Sequence, residues 1–369
     1  MPTRSVRPDL LTVARSSANE GTRERAREAI GLQISIFAFV LVALIALPVF
    51  GFRPAPIAGA GSLGQFAAVS AAATAAVVFV LGRIVVAEPQ RRERLAALDL
   101  VDVAALAFAH AVIALLGWTL VAVILEAGLI GAVVFPLPVL LLSGAAAALT
   151  AYVVFVSATH LDLQLLAVVL ALFLVVGVLA SMLTASDPTW WKDNLSALGM
   201  TDDLSARTFN LTLIIAGILV TTLARYATNA IPGQSGRGVV AVRTCLIIVG
   251  VFLGMVGLFP VDQYFALHTG VASGMAVAFG VLVVGLKWWL PGVSRTFLSI
   301  GYLFIAVIML HAVLFATGYY TLTAVELVAG VVVFAWIILL IRTVAALAQD
   351  ASAADAVSDA SEAAERTAS

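Results

Sequence analysis

Charge is what this sequence has least of. Only 11% of its 369 residues are Asp, Glu, Lys or Arg, against about 25% in an ordinary soluble domain, so a water-facing globular surface is excluded. There is one cysteine, Cys245, inside an apolar run. An intrachain disulfide and a thiolate metal cluster are both excluded, and the thiol reads as a small packing group. The formal net charge is −1, and no basic stripe interleaved with aromatics occurs, which argues against nucleic acid as a partner. P-loop, dinucleotide and haem fingerprints are missing, as are His-xxx-His and His-Glu-xx-His spacings. No cofactor and no metal are therefore expected. A Gly-x-Ser-x-Gly nucleophile elbow is missing too, so no catalytic residue can be assigned from a motif of that kind.

What is present is apolar length. Hydrophobic residues make up 62% of the chain and the mean hydropathy is +1.11. A helix needs roughly 20 apolar residues to cross the hydrocarbon core of a bilayer, and the runs meet that length repeatedly. The expected fold is all-α, a polytopic membrane bundle of about ten helices. Spans are read at Ile30–Val49, Phe66–Val86 and Val101–Glu126. The tract Leu129–Leu183 is divided into two by Thr159-His160-Leu161-Asp162. Five more follow at Thr208–Ala227, Val242–Phe259, Phe265–Leu286, Thr296–Thr317 and Leu322–Val344. Residues 1–29 are polar and precede an apolar stretch too long for a cleaved signal, so they read as a cytoplasmic leader. Residues 30–160 form a four-span N-terminal unit, 161–345 a six-span unit, and 346–369 an acidic cytoplasmic tail expected to be disordered.

With the N-terminus in the cytoplasm, 17 of the 20 Lys and Arg fall inside. Only Arg53, Lys192 and Arg207 fall outside, as the positive-inside rule requires. Both termini are thus expected in the cytoplasm, with the plasma membrane as the location and its lipids as the expected partners. Trp190, Trp191, Tyr319 and Tyr320 would lie at the outer interface and Trp288 and Trp289 at the inner one. Gly250, Gly254, Gly257, Gly270 and Gly274 suggest close helix contacts.

Ionisable groups inside membrane helices are costly and usually face the bundle interior or water. On this topology a set of polar residues from separate segments gathers at the outer side. They are Lys192, Asp193, Asn194 and Ser196 in "TWWKDNLSALG", then Arg207, Asn210, Asp262, His268, His311 and Glu326. His311 and Glu326 stand out because apolar helix surrounds them. His110 and Asp102, in the third span, have no evident partner.

Three motifs occur in order with matching spans between them: "NLSALG" at Asn194–Gly199, "GLFPVD" at Gly257–Asp262 and "LHTGVASG" at Leu267–Gly274. On these the region from Leu163 to Val344 resembles the bacterial membrane family catalogued as domain of unknown function 998. That family is distantly similar to six-span eukaryotic proteins of the DRAM and GPI-anchor-remodelling type, some linked to lipid remodelling. The resemblance implies a six-helix membrane unit, with the first four spans as an addition to it. Three functions fit: a lipid-interacting or scaffold protein with an outer polar pocket, an intramembrane lipid hydrolase or transferase using the His, Asp and Glu groups with Ser196 as nucleophile, and a proton-coupled transporter using Glu326 and His311. The first fits best, which leans against catalysis. The sequence does not decide between monomer and homo-oligomer.

Overall fold

The computed structural model describes residues 10–86, 97–229 and 236–368. The first nine leader residues and the basic run at Arg91, Arg92 and Arg94 lie outside them. Ten helices among the described residues are long and apolar enough to cross a membrane. They are α1 (Leu10–Phe50), α2 (Leu63–Val86), α3 (Ala97–Gly128), α4 (Pro136–Thr159), α5 (Leu163–Thr184), α6 (Leu204–Asn229), α7 (Arg237–Leu258), α8 (Phe265–Trp289), α9 (Arg295–Ala316) and α10 (Leu322–Ala368).

Local chemistry explains where these helices stop. Between α4 and α5, Asp162 caps the new helix by accepting from the Leu165 N–H at 2.7 Å. Phe259 is the C-cap of α7, and Pro260 follows it, unable to extend the helix as a donor. Two expectations are corrected. Helix α3 ends at Gly128, and the turn after it passes through Gly131, whose φ of +74° suits a residue without a side chain. Val133–Val134 then pairs antiparallel with Ala55–Pro56, forming strands β2 and β1 of a small sheet that ties two loops together. The fourth span begins only at Pro136. The acidic tail, expected to be disordered, continues α10 to Ala368; its alanines and glutamates are strong helix formers that can propagate an existing helix.

Two groups of helices share the core. In the first, α4 packs on α1 and α2, and α2 packs on α3. In the second, α6 lies between α5 and α7, and α7 packs on α8. Helix α3 joins the groups by packing on α5 and α6. Small residues set the closest approaches, as expected where helices associate in lipid by van der Waals packing. A Cβ on Gly217 of α6 would lie 2.4 Å from the Gly250 carbonyl oxygen and 2.7 Å from the Gly254 nitrogen of α7. Gly257 and Gly274 also sit against neighbours, but Gly270 has open space around it, contrary to the reading of all five glycines as contact positions.

The join between the groups is polar. Asp102 of α3 is buried and accepts a hydrogen bond from the Thr222 hydroxyl of α6 at 2.6 Å. The Arg225 guanidinium lies 3.4 Å from its other oxygen. His110, also buried, links α3 to α4 through Ser157, at 2.8 Å, and rests against the Phe79 ring of α2. Both residues lacked a partner in the sequence and have a structural one in the fold.

Helices α9 and α10 are buried mainly at one end. Trp336 is fully buried there between Phe279 and Phe297, with its indole nitrogen against Gly301. The buried residues of α9 are Phe297 and Gly301, near its start. Those of α10 run from Trp336 onward, apart from Thr323. Toward the α9–α10 connection a shallow apolar groove of about 220 Å³ is lined by Leu327, Val328, Val331 and Val332 of α10.

Candidate functional site

The segment between α5 and α6 folds back over the bundle as two short 3-10 turns, Trp190–Lys192 and Leu195–Gly199. Its far end is fastened to the start of α6. Asp203 accepts from Ala206 N–H at 2.9 Å, and from the Ser186 hydroxyl at 2.6 Å. The Ser186 hydrogen bond, with others from the Thr201 side chain and Ala206, holds the Asp203 carboxyl far below the usual carboxylate range. Asp187 is also held low, by hydrogen bonds from the backbone and hydroxyl of Thr189.

The second turn is held from three helices. Glu326 of α10 accepts from the Leu195 N–H at 2.5 Å. His268 of α8 stands 3.0 Å from the Ser196 hydroxyl through Nε2. Asn210 of α6 donates to the Gly199 carbonyl at 3.0 Å. The other nitrogen of His268, Nδ1, is 2.7 Å from the Phe259 carbonyl oxygen. A carbonyl can only accept, so Nδ1 carries the proton in the neutral ring and Nε2 is left to accept from Ser196.

Glycine allows the approach. A Cβ on Gly199 would lie 2.3 Å from the Asn210 side-chain oxygen, and one on Gly257 would lie 2.5 Å from the Asn210 carbonyl. The three motifs thus meet: the first contributes Ser196 and Gly199, the second Gly257 and the Phe259 carbonyl, the third His268.

The structure brings five of the expected residues together around this turn: Asn194, Ser196, Asn210, His268 and Glu326. The Asn194 side-chain oxygen is buried with no hydrogen-bond partner among the described residues, and the Thr323 hydroxyl, one turn before Glu326, is in the same state. The other five expected residues stand apart. Lys192, Asp193, Arg207 and Asp262 are exposed, and the Lys192 ammonium lies over the Trp191 ring at 5.8 Å. His311 is bonded through Nδ1 to Val307 of its own helix at 2.8 Å and stacks on Tyr320. Asp262 was expected in the outer polar set, but it is exposed, and the Phe259 carbonyl is what orients His268. Among the described residues, no three His, Cys, Asp or Glu side chains come together as a metal-binding group.

Residues 165–343 match the family described as protein of unknown function (DUF998). That segment belongs to DUF998. It spans most of α5, all of α6 to α9 and the membrane-crossing part of α10, so every group around the turn lies within the DUF998 segment. Helices α1 to α4 lie outside the match. No curated protein and no solved structure matches the chain.

Sequence reasoning missed three contributors: the Phe259 carbonyl, the Leu195 N–H and the Thr323 hydroxyl. Every residue carries a backbone carbonyl and every residue but proline a backbone N–H, so residue identity gives no signal for the first two. Thr323 reads as an ordinary helix-start residue.

Proposed function

We propose that the DUF998 segment is a lipid-binding unit that holds a headgroup at the extracytoplasmic end of the bundle. The charge bias of the loops supports this orientation and a plasma-membrane location with both termini in the cytoplasm. The observation that carries the reading is one of adjacency. The polar turn held by Glu326, His268 and Asn210 lies where α10 begins, and the apolar groove opens at the next residue, Leu327. A polar end above an apolar slot matches the two halves of a lipid, and ligand sites commonly combine apolar walls with a few placed polar groups. Trp190 and Trp191 in the overlying loop suit the headgroup layer. Lys192, exposed beside them, offers a cation to an anionic headgroup.

The test is lipid mass spectrometry on the full-length protein purified in mild detergent, with three variants. Val331→Trp fills the groove and should reduce co-purified lipid several-fold while leaving the turn intact. Glu326→Ala removes the acceptor for Leu195 and should do the same from the polar side. Glu326→Gln keeps a carbonyl oxygen in that place and should retain most of the lipid. Equal lipid content in the wild type, Val331→Trp and Glu326→Ala would refute the reading.

A further inference from the structure

We propose that Ser196 is a nucleophile activated by His268, and that the site cleaves an ester bond of the lipid it holds. This inference rests on the lipid reading and names its substrate class, an acyl ester lipid. Three features carry it. The first is the tautomer: with Nδ1 committed to the Phe259 carbonyl at 2.7 Å, Nε2 is the lone-pair nitrogen, and the Ser196 hydroxyl 3.0 Å away donates to it. That is the arrangement a nucleophile, its base and a group orienting the base require. The second is rigidity. Leu195 is bonded to Glu326 just before Ser196, and Gly199 to Asn210 three residues after it, so the hydroxyl is held in place before a substrate arrives. The third is unspent polarity. Asn194 and Thr323 keep buried polar atoms without partners among the described residues, which is unusual for atoms serving only the fold.

The molecule contains its own control. Ser157 and His110 form a second pair at 2.8 Å, with His110 Nδ1 bonded to Leu106 of its own helix at 2.7 Å. Both residues are 7% exposed and both lie within helices α3 and α4. Ser196 by contrast is only half-buried, on a short turn between α5 and α6 outside any membrane-crossing helix. The same chemistry in the first place ties two helices together and in the second faces a substrate.

The reaction balances with water as the only co-reactant. Ser196 Oγ bonds to the ester carbonyl carbon while its proton passes to His268 Nε2. The tetrahedral adduct collapses, the carbon–alkoxy bond breaks, and the alcohol portion leaves with the proton from Nε2. Water from the aqueous face then gives a proton to Nε2 and attacks the acyl-serine. The fatty acid departs and Ser196 recovers its proton.

The experiment treats the full-length protein in phosphatidylglycerol and phosphatidylethanolamine nanodiscs with a fluorophosphonate probe, read by intact mass and peptide mapping. The expected result is a single adduct on Ser196, unchanged in Ser157→Ala and abolished in Ser196→Ala. In His268→Gln the rate should fall about 100-fold or more, the usual contribution of a general base. Ser196→Cys guards against misfolding: its thiol should be alkylated by iodoacetamide at neutral pH, faster than the same variant carrying His268→Gln. An unlabelled wild type, or an adduct that survives Ser196→Ala, overturns the proposal. Lipid content measured on the same samples separates the two readings. Bound lipid without labelling leaves the lipid site standing and removes the nucleophile. Labelling that persists when Val331→Trp has no effect on lipid removes the groove and keeps the nucleophile.

Discussion

The contact between α6 and α7 can be tested with one methyl group. In Gly217→Ala the new Cβ would lie 2.4 Å from the Gly250 carbonyl oxygen, 2.7 Å from the Gly254 nitrogen and 2.9 Å from the Gly254 Cα. All three are backbone atoms, so no side chain can rotate away and the helices must part by about 1 Å to restore ordinary contact near 3.5 Å. Overpacking of a tight core costs about 1–3 kcal/mol, and the rigid neighbours place this site in the upper part of that range. Alanine regains up to about 1 kcal/mol of helix propensity over glycine. That gain is smaller here, because a helix separated from its neighbour in a membrane keeps its backbone hydrogen bonds. The net loss is about 2 kcal/mol, near 30-fold in the folded ratio by the usual 1.4 kcal/mol per decade. Gly270→Ala is the matched control, since nothing lies within 4 Å of its Cβ position. Melting midpoints of detergent-solubilised protein should fall by several degrees for Gly217→Ala and stay level or rise for Gly270→Ala. Equal midpoints for the two variants would refute the close-contact reasoning.

Two further predictions concern carboxylates. Asp102→Ala removes the carboxylate that lies 3.4 Å from the Arg225 guanidinium and accepts from the Thr222 hydroxyl at the join between the two helix groups. Removing one member of a buried pair costs about 3–5 kcal/mol; because Arg225 is 28% exposed, the expected loss is nearer 2 kcal/mol, visible in the same melting assay and smaller for Asp102→Asn, and no change in Asp102→Ala would count against the join. Asp203 makes the attachment of the 186–203 loop pH-dependent. Its folded pKa is depressed, so its stabilising contribution is complete above the unfolded value of about 3.9 and is lost as pH falls through the lower folded value. Tryptophan fluorescence from the loop, followed from pH 6 to pH 2, should therefore hold steady to below about pH 4 and then change, whereas Asp203→Asn should lack that low-pH transition; identical traces would refute the attachment.

The span count was legible because a bilayer demands about 20 apolar residues per crossing and tolerates little else. It failed locally at Leu129–Phe135, where composition is apolar throughout and only the positive φ of Gly131 and the prolines of α4 end the helix reading. At the site, His268, Ser196 and Glu326 were visible as reactive or ionisable groups in unusual places. Asp262 was visible on the same grounds and stands apart, because a polar residue in a loop looks alike in sequence whether it turns inward or outward. The partners of Asp102 and His110 depended on which helices become neighbours. A single sequence carries no direct record of that, so two structural ties looked like unexplained polar residues.

The motif glycines and the motif polar groups express one constraint rather than two. Ser196 is placed relative to α6 through Gly199 and Asn210, while the Phe259 carbonyl is placed relative to α6 through Gly257 and the same Asn210. His268 contacts both sides, taking Ser196 at 3.0 Å and Phe259 at 2.7 Å. A side chain at Gly199 would push the turn off Asn210, and one at Gly257 would push the end of α7 away from it. Either shift changes one arm of the imidazole's hydrogen bonding, and a displacement of about 0.6 Å takes a 3.0 Å bond past the limit at which it counts as one. The spacing between "NLSALG" and "GLFPVD" therefore sets a distance: it allows two backbones to close on Asn210, and this fixes the ring between serine and carbonyl.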